Sequence, residues 1–112
     1  MVSPVVWDSS DNGYPATSHY VRTFWTAALG PGAVADLLRL ATAASRGRSL
    51  RRPLSLSRLC AAGLAREHDG RLEVRTVIPP LTPTQVKSLH PSIRRLHDAY
   101  QHEDLPEMPP AA

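Results

Sequence analysis

Apolar residues recur at three- and four-residue spacing over most of this chain and at two-residue spacing over one stretch. Val21, Phe24, Trp25 and Ala28 share one face of a helix, with Ser18 ahead of them as an N-cap. Gly30-Pro31-Gly32 ends it, because glycine accepts a left-handed C-cap and proline cannot continue the hydrogen-bond ladder. A second helix begins at once, carries the stripe Val34, Leu37, Leu38 and Ala41, and ends near Gly47. Leu56, Leu59 and Cys60 form the inward face of a third helix over 55–62, with Gly63 as its stop and Leu64 packing back; Leu54 and Leu56 would also suit a very short strand. The period then changes to two. Asp69-Gly70 is a strong two-residue hairpin signal, since both central positions of the favoured turn need positive φ. It pairs His68 with Arg71, Glu67 with Leu72, Arg66 with Glu73 and Ala65 with Val74. Leu72, Val74, Thr76 and Ile78 then alternate onto one face, and Pro79-Pro80 ends the strand. Thr82-Pro83-Thr84-Gln85 opens a last helix with a capping box, and its stripe is Val86, Leu89, Ile93, Leu96 and Tyr100. Pro91 is expected to break or kink that helix near His90.

The flanks differ in character. Residues 1–17 are rich in Ser, Pro, Asp, Asn and Gly and read as a flexible arm, with Trp7 able to dock on the body. Residues 18–102 read as one domain, and 103–112, EDLPEMPPAA, as an acidic, Pro-rich, disordered tail. The order is helix, helix, helix, hairpin, helix, without internal repeats. With 112 residues, 42% of them hydrophobic, the chain has enough apolar material for one compact core. Its aromatics are few, so that core is mainly Leu, Val and Ala.

Charge is distributed unevenly. Arg46, Arg48, Arg51, Arg52 and Arg58 fall in one run without a carboxylate, while Asp98, Glu103, Asp104 and Glu107 gather near the end. Twelve of the thirteen basic residues are Arg, whose planar fork suits phosphate, although a GC-rich coding bias gives the same preference. Cys60 is alone, which excludes an internal disulfide and a zinc finger and fits a reducing cytoplasm. No apolar run is long enough for a membrane span, and the N-terminal residues lack the pattern of a signal peptide. The histidine spacings do not give the i, i+4 pair of a helical metal site. No nucleophile elbow is present, and Gly30 and Gly32 are helix punctuation, not a phosphate loop. No enzyme activity, metal or cofactor is expected.

The phrase AAGLAREHDGRLEVRT, residues 61–76, resembles the recognition-helix end and wing of a winged-helix DNA-binding domain. Residues 20–100 are similar in order to small actinobacterial proteins of winged-helix type. The resemblance implies an α+β, winged-helix-like fold with three helices, a β-hairpin wing and a C-terminal helix. It implies a non-enzymatic partner of double-stranded DNA, a transcriptional regulator or accessory factor. The helix over 55–62 would then face the major groove with Ser55, Ser57, Arg58, Ala61 and Ala62 outward. Of these, Arg58 alone has the reach for a bidentate guanine contact. Arg46, Arg48, Arg51 and Arg52 would hold phosphates, and Arg71 and Arg75 on the wing would assist. The helix preceding the recognition helix would be either 33–45 or the basic connector itself.

The alternative is a protein-interaction module of the same type, with the transcription machinery or another regulator as partner. Glu73 supports it, because it sits between Arg71 and Arg75 and opposite Arg66 and so weakens the wing's field. Tyr20, Phe24, Trp25, Leu96 and Tyr100 read first as core; any of them left exposed would mark a homodimer or partner face.

Overall fold

The structure, a computed structural model, describes residues 1–7 and 13–102. The expected 103–112 tail lies outside the described residues. The fold is α+β, with five α-helices and two small sheets among those residues.

A π-helical stretch, Val21–Trp25, runs directly into α1, Thr26–Leu29. The Ser18 hydroxyl accepts the Val21 N–H at 3.4 Å, as its expected cap role requires. The wider π turn accompanies burial of Val21, Phe24 and Trp25 together. Gly30, at φ 95°, then turns the chain so that Pro31 can start α2, Pro31–Arg46. That helix buries Val34, Leu37, Leu40 and Ala41, and Gly47 ends it in the left-handed conformation. The connector after it is irregular and contains no strand at Leu54. α3, Leu56–Ala61, buries Leu56 and Leu59.

The hairpin forms in the expected register. β3, Ala65–His68, and β4, Arg71–Val74, pair antiparallel around Asp69 (φ 53°) and Gly70 (φ 75°). The strand does not continue unbroken to Ile78. It stops at Val74, and β5, Val77–Ile78, pairs with a different strand, β2, Tyr14–Pro15. The alternation nonetheless persists, with Leu72, Val74 and Ile78 buried.

The first seventeen residues are not a loose arm where the structure describes them. β1, Val5–Val6, adds to β4 in parallel, giving the sheet order β1-β4-β3. Val2 exchanges backbone hydrogen bonds with Leu50 at 2.8 and 2.9 Å, and the Trp7 N–H donates to the Val74 carbonyl. The physical reason is the open side of β4. Its backbone groups need partners, and the N-terminal segment supplies them despite its polar composition.

Pro91 divides the last helix in two. α4, Pro83–Lys87, opens on the expected capping box: the Gln85 N–H donates to Thr82 Oγ1 at 3.2 Å, and the Thr82 N–H donates to Gln85 Oε1 at 2.8 Å. α5, Pro91–His102, follows as a separate helix. Ile93 and Tyr100 keep their inward places, but between them His97, four residues after Ile93, is buried, and Leu96, three after it and placed by the sequence pattern on the inward stripe, is 46% exposed.

Two glycine substitutions should have opposite signs. A Cβ at Gly13 would lie 2.4 Å from the Ile78 carbonyl oxygen, so Gly13→Ala must displace backbone. It is expected to lower stability by roughly 1–3 kcal/mol, as overpacking does. A Cβ at Gly32 inside α2 meets nothing within 4 Å, so Gly32→Ala is expected to stabilise by up to about 1 kcal/mol. Urea unfolding checks both through the midpoint, with the slope unchanged.

Candidate nucleic-acid interface

The basic connector is fixed at its far end by Asp36 of α2. This carboxylate is buried, pairs with Arg39, and accepts the Ser55 N–H at 3.1 Å. Burial alone pushes its pKa up, but the Arg39 and Ser55 hydrogen bonds outweigh that and hold it below the usual carboxylate value. Ser55 is thus half-buried and committed to holding the connector, while Ser57 is exposed on α3.

The arginines fall into two groups. Arg46, Arg48, Arg51 and Arg71 are exposed and have no ion pair or hydrogen bond through their side chains among the described residues. Arg52, Arg58, Arg66 and Arg75 are engaged. Arg52 pairs with Glu67 of β3 at 3.0 Å. Arg58 donates to the Leu29 carbonyl at the end of α1 at 3.0 Å, which draws it from the outward position a guanine contact needs. Arg75 donates to the Gly63 carbonyl at 2.8 Å. Arg66 pairs with Glu73 at 2.8 Å, as the hairpin register demands.

Trp7 ties the hairpin arginines further. The Arg66 and Arg75 guanidinium carbons lie 4.2 and 4.1 Å from its ring centre, within cation–π range. Both side chains are thereby engaged with the N-terminal segment. The sequence signal for this was a lone Trp in a polar stretch, but its partners were not readable from spacing.

The structure brings three of the expected residues together. Arg52 and Arg71 line one groove of about 620 Å³, which Val2, Val5 and Leu72 also line. Arg51 and Arg52 line a neighbouring concavity of about 300 Å³ against α2. Arg58 lines neither of them. Arg46 sits at the end of α2 beside Pro15, Thr17 and Thr76.

The residues that would mark a dimer or partner face where exposed lie mostly in the core, their first reading. Tyr20, Phe24 and Trp25 are at most 1% exposed. α5 covers the first two, and the Trp25 indole N–H donates to the Pro79 carbonyl at 2.9 Å. Tyr100 is half-buried and packs edge-on against Tyr14 and Phe24. Leu96 alone of the five is exposed.

His97 was not foreseen as a structural residue. Its Nε2 lies 2.7 Å from the Tyr20 hydroxyl, and that hydroxyl accepts the Leu81 N–H at 3.0 Å. With its oxygen accepting from Leu81, Tyr20 gives its own hydrogen to a neutral His97. Burial lowers the His97 pKa, against the opposing pull of Asp98. Burial likewise raises the Tyr20 pKa, against the Leu81 hydrogen bond and with help from Tyr14. The signal was present in the sequence, since His97 stands four residues after Ile93 and three before Tyr100.

Burial also pushes the half-buried Cys60 thiol up, and Glu67 adds to this against Arg52, so the thiolate is disfavoured. Among the described residues no group of three His, Cys, Asp or Glu is placed to hold a metal, and no helix is long and apolar enough to cross a membrane. Comparisons with protein-family models, curated proteins and solved structures gave no match.

Acid should weaken the fold through His97. The unfolded chain takes up this proton at about pH 6.5 and the folded chain only at lower pH. The stabilisation is therefore complete above about pH 6.5 and is lost as pH falls toward the folded pKa. His97→Gln, which keeps an acceptor for Tyr20 and does not titrate, should flatten the stability profile over that window. Thermal unfolding as a function of pH reads both.

Proposed function

We propose that this chain is a non-enzymatic DNA-binding protein of winged-helix-like architecture, acting in transcription as a regulator or accessory factor. The succession α1, α2, α3, hairpin β3–β4, then α4 and α5 supports the architecture, with the short strands β1, β2 and β5 added to it. One observation carries the binding proposal: Arg52 of the connector and Arg71 of the hairpin tip line the same groove, with Arg51 on the neighbouring one. A backbone phosphate path across the connector and the wing tip would meet guanidinium groups from both.

The contacts are mainly to phosphate. α3 has six residues and offers Ser57 and Ala61 outward, while Arg58 is drawn to Leu29. Small side chains of this kind read few base edges, so affinity depends on salt more than on sequence. Glu67 and Glu73 moderate the field by pairing Arg52 and Arg66.

Fluorescence anisotropy with a random-sequence duplex at several salt concentrations tests this. Affinity should fall steeply with salt, and Arg51→Ala and Arg71→Ala should each reduce the magnitude of the log–log slope by about 1. Glu67→Gln, which frees Arg52, should tighten binding and steepen the slope. Absence of duplex binding at low salt would refute the reading.

A further inference from the structure

The connector carries an apolar feature that phosphate binding leaves unused. Leu54 is fully exposed, at 101% of its reference area, although Leu56 beyond it is buried and Leu50 before it packs against the core. The concavity beside it is lined by Leu50, Pro53 and Leu54 and by Arg39, Arg51 and Arg52. A second concavity, of about 390 Å³, shares Arg39 and Leu50 with the first and extends past Leu38, Ala43 and Arg48. The two concavities thus adjoin at Arg39 and Leu50 and together form the trough between α2 and the connector. Asp36 is the acidic residue lining it, and its charge is already taken up by Arg39 and Ser55.

The chemistry of this trough is mixed in a specific way. Its leucines offer apolar area, and its arginines, two of them without a carboxylate partner among the described residues, offer positive charge. The phosphates of a DNA duplex complement the arginines, but apart from a thymine methyl in the major groove the duplex has nothing for Leu54. A peptide with apolar side chains on one face and carboxylates beside them complements both.

We infer that the trough docks an acidic amphipathic segment of a partner protein, with Leu54 as the apolar anchor and Arg48 and Arg51 paired to its carboxylates. Arg51 also belongs to the proposed phosphate path, so the segment and a duplex exclude each other. That exclusion rests on the DNA-binding reading; the docking does not.

Selection of a displayed random-peptide library on the full chain tests the inference, followed by anisotropy with the enriched peptides. Enriched sequences should combine Asp and Glu with Leu, Ile or Phe at three- and four-residue spacing. Leu54→Ser, at a fully exposed position where the fold does not depend on the side chain, should weaken their binding about tenfold or more, the loss typical of an anchor. Arg51→Ala should weaken peptide and duplex alike, whereas Leu54→Ser should spare the duplex. No enrichment, enrichment without acidic residues, or equal binding to the Leu54→Ser protein would overturn the inference. So would Leu54-dependent binding of the duplex, or of phosphatidylserine-rich vesicles without any peptide, which would give the trough to DNA or to a membrane surface. A protein that binds the peptides and no duplex would sink the DNA reading and keep the docking site.

Discussion

Three distant parts of the chain meet at one hydroxyl. Tyr20 belongs to the first helical segment, Leu81 to the exit from the sheet, and His97 to the last helix, and the Tyr20 oxygen bonds to both of the others. A buried hydroxyl without partners would be destabilising by about 1–3 kcal/mol. Here its lone pair and its hydrogen are both used, and its ring stacks on Tyr14 at 4.0 Å between centroids. The polar contact thus sits inside an aromatic cluster and gives it a unique arrangement. α5 has limited apolar surface of its own, since Leu96 faces outward. Its position depends on His97, Ile93 and Tyr100 together.

The second constraint concerns where the positive charge goes. A strongly basic sequence suggests a strongly basic surface, yet much of the arginine is used within the fold. Arg39 and Arg52 pair with Asp36 and Glu67, and Arg66 and Arg75 flank Trp7. Arg58 sits at the C-terminal end of α1, where a cation meets the free carbonyls and the negative end of the helix dipole. At the connector and the hairpin tip the remaining field comes from Arg46, Arg48, Arg51 and Arg71; Arg22, Lys87, Arg94 and Arg95 add charge elsewhere on the body.

Local features were well legible in the sequence, and long-range ones were not. Asp69-Gly70 fixed its hairpin register residue by residue, and Thr82 with Gln85 fixed a helix start, because each signal is complete within a few positions. Gly47 and Gly63 likewise end their helices at positive φ. Leu96 and His97 exchanged roles because both i+3 and i+4 from Ile93 lie near the inward face of a helix, and hydropathy favoured the leucine while the Tyr20 hydroxyl selects the histidine. Tyr20, Phe24 and Trp25 left no free face because much of their cover comes from distant residues, 54 positions away for Trp25 and 77 for Tyr20. Of the candidate interface, Arg51, Arg52 and Arg71 were expected, as was the docking of Trp7 on the body; the arginine partners of Trp7 and the exposure of Leu54 were not. Both depend on how the N-terminal segment and the connector cross the body, which no periodicity encodes.

The parallel pairing of β1 with β4 has a consequence for how the molecule is made. Val5 lies beside Glu73 and Val6 beside Val74, so the first strand of the sheet to leave the ribosome must wait for nearly the last. Contacts of such sequence separation bring a large loop-closure entropy before any return, and they slow folding. The hairpin, whose contacts are local, needs no β1 to form. The three-stranded sheet is therefore complete only once the N-terminal segment has closed over a hairpin made far later in the chain.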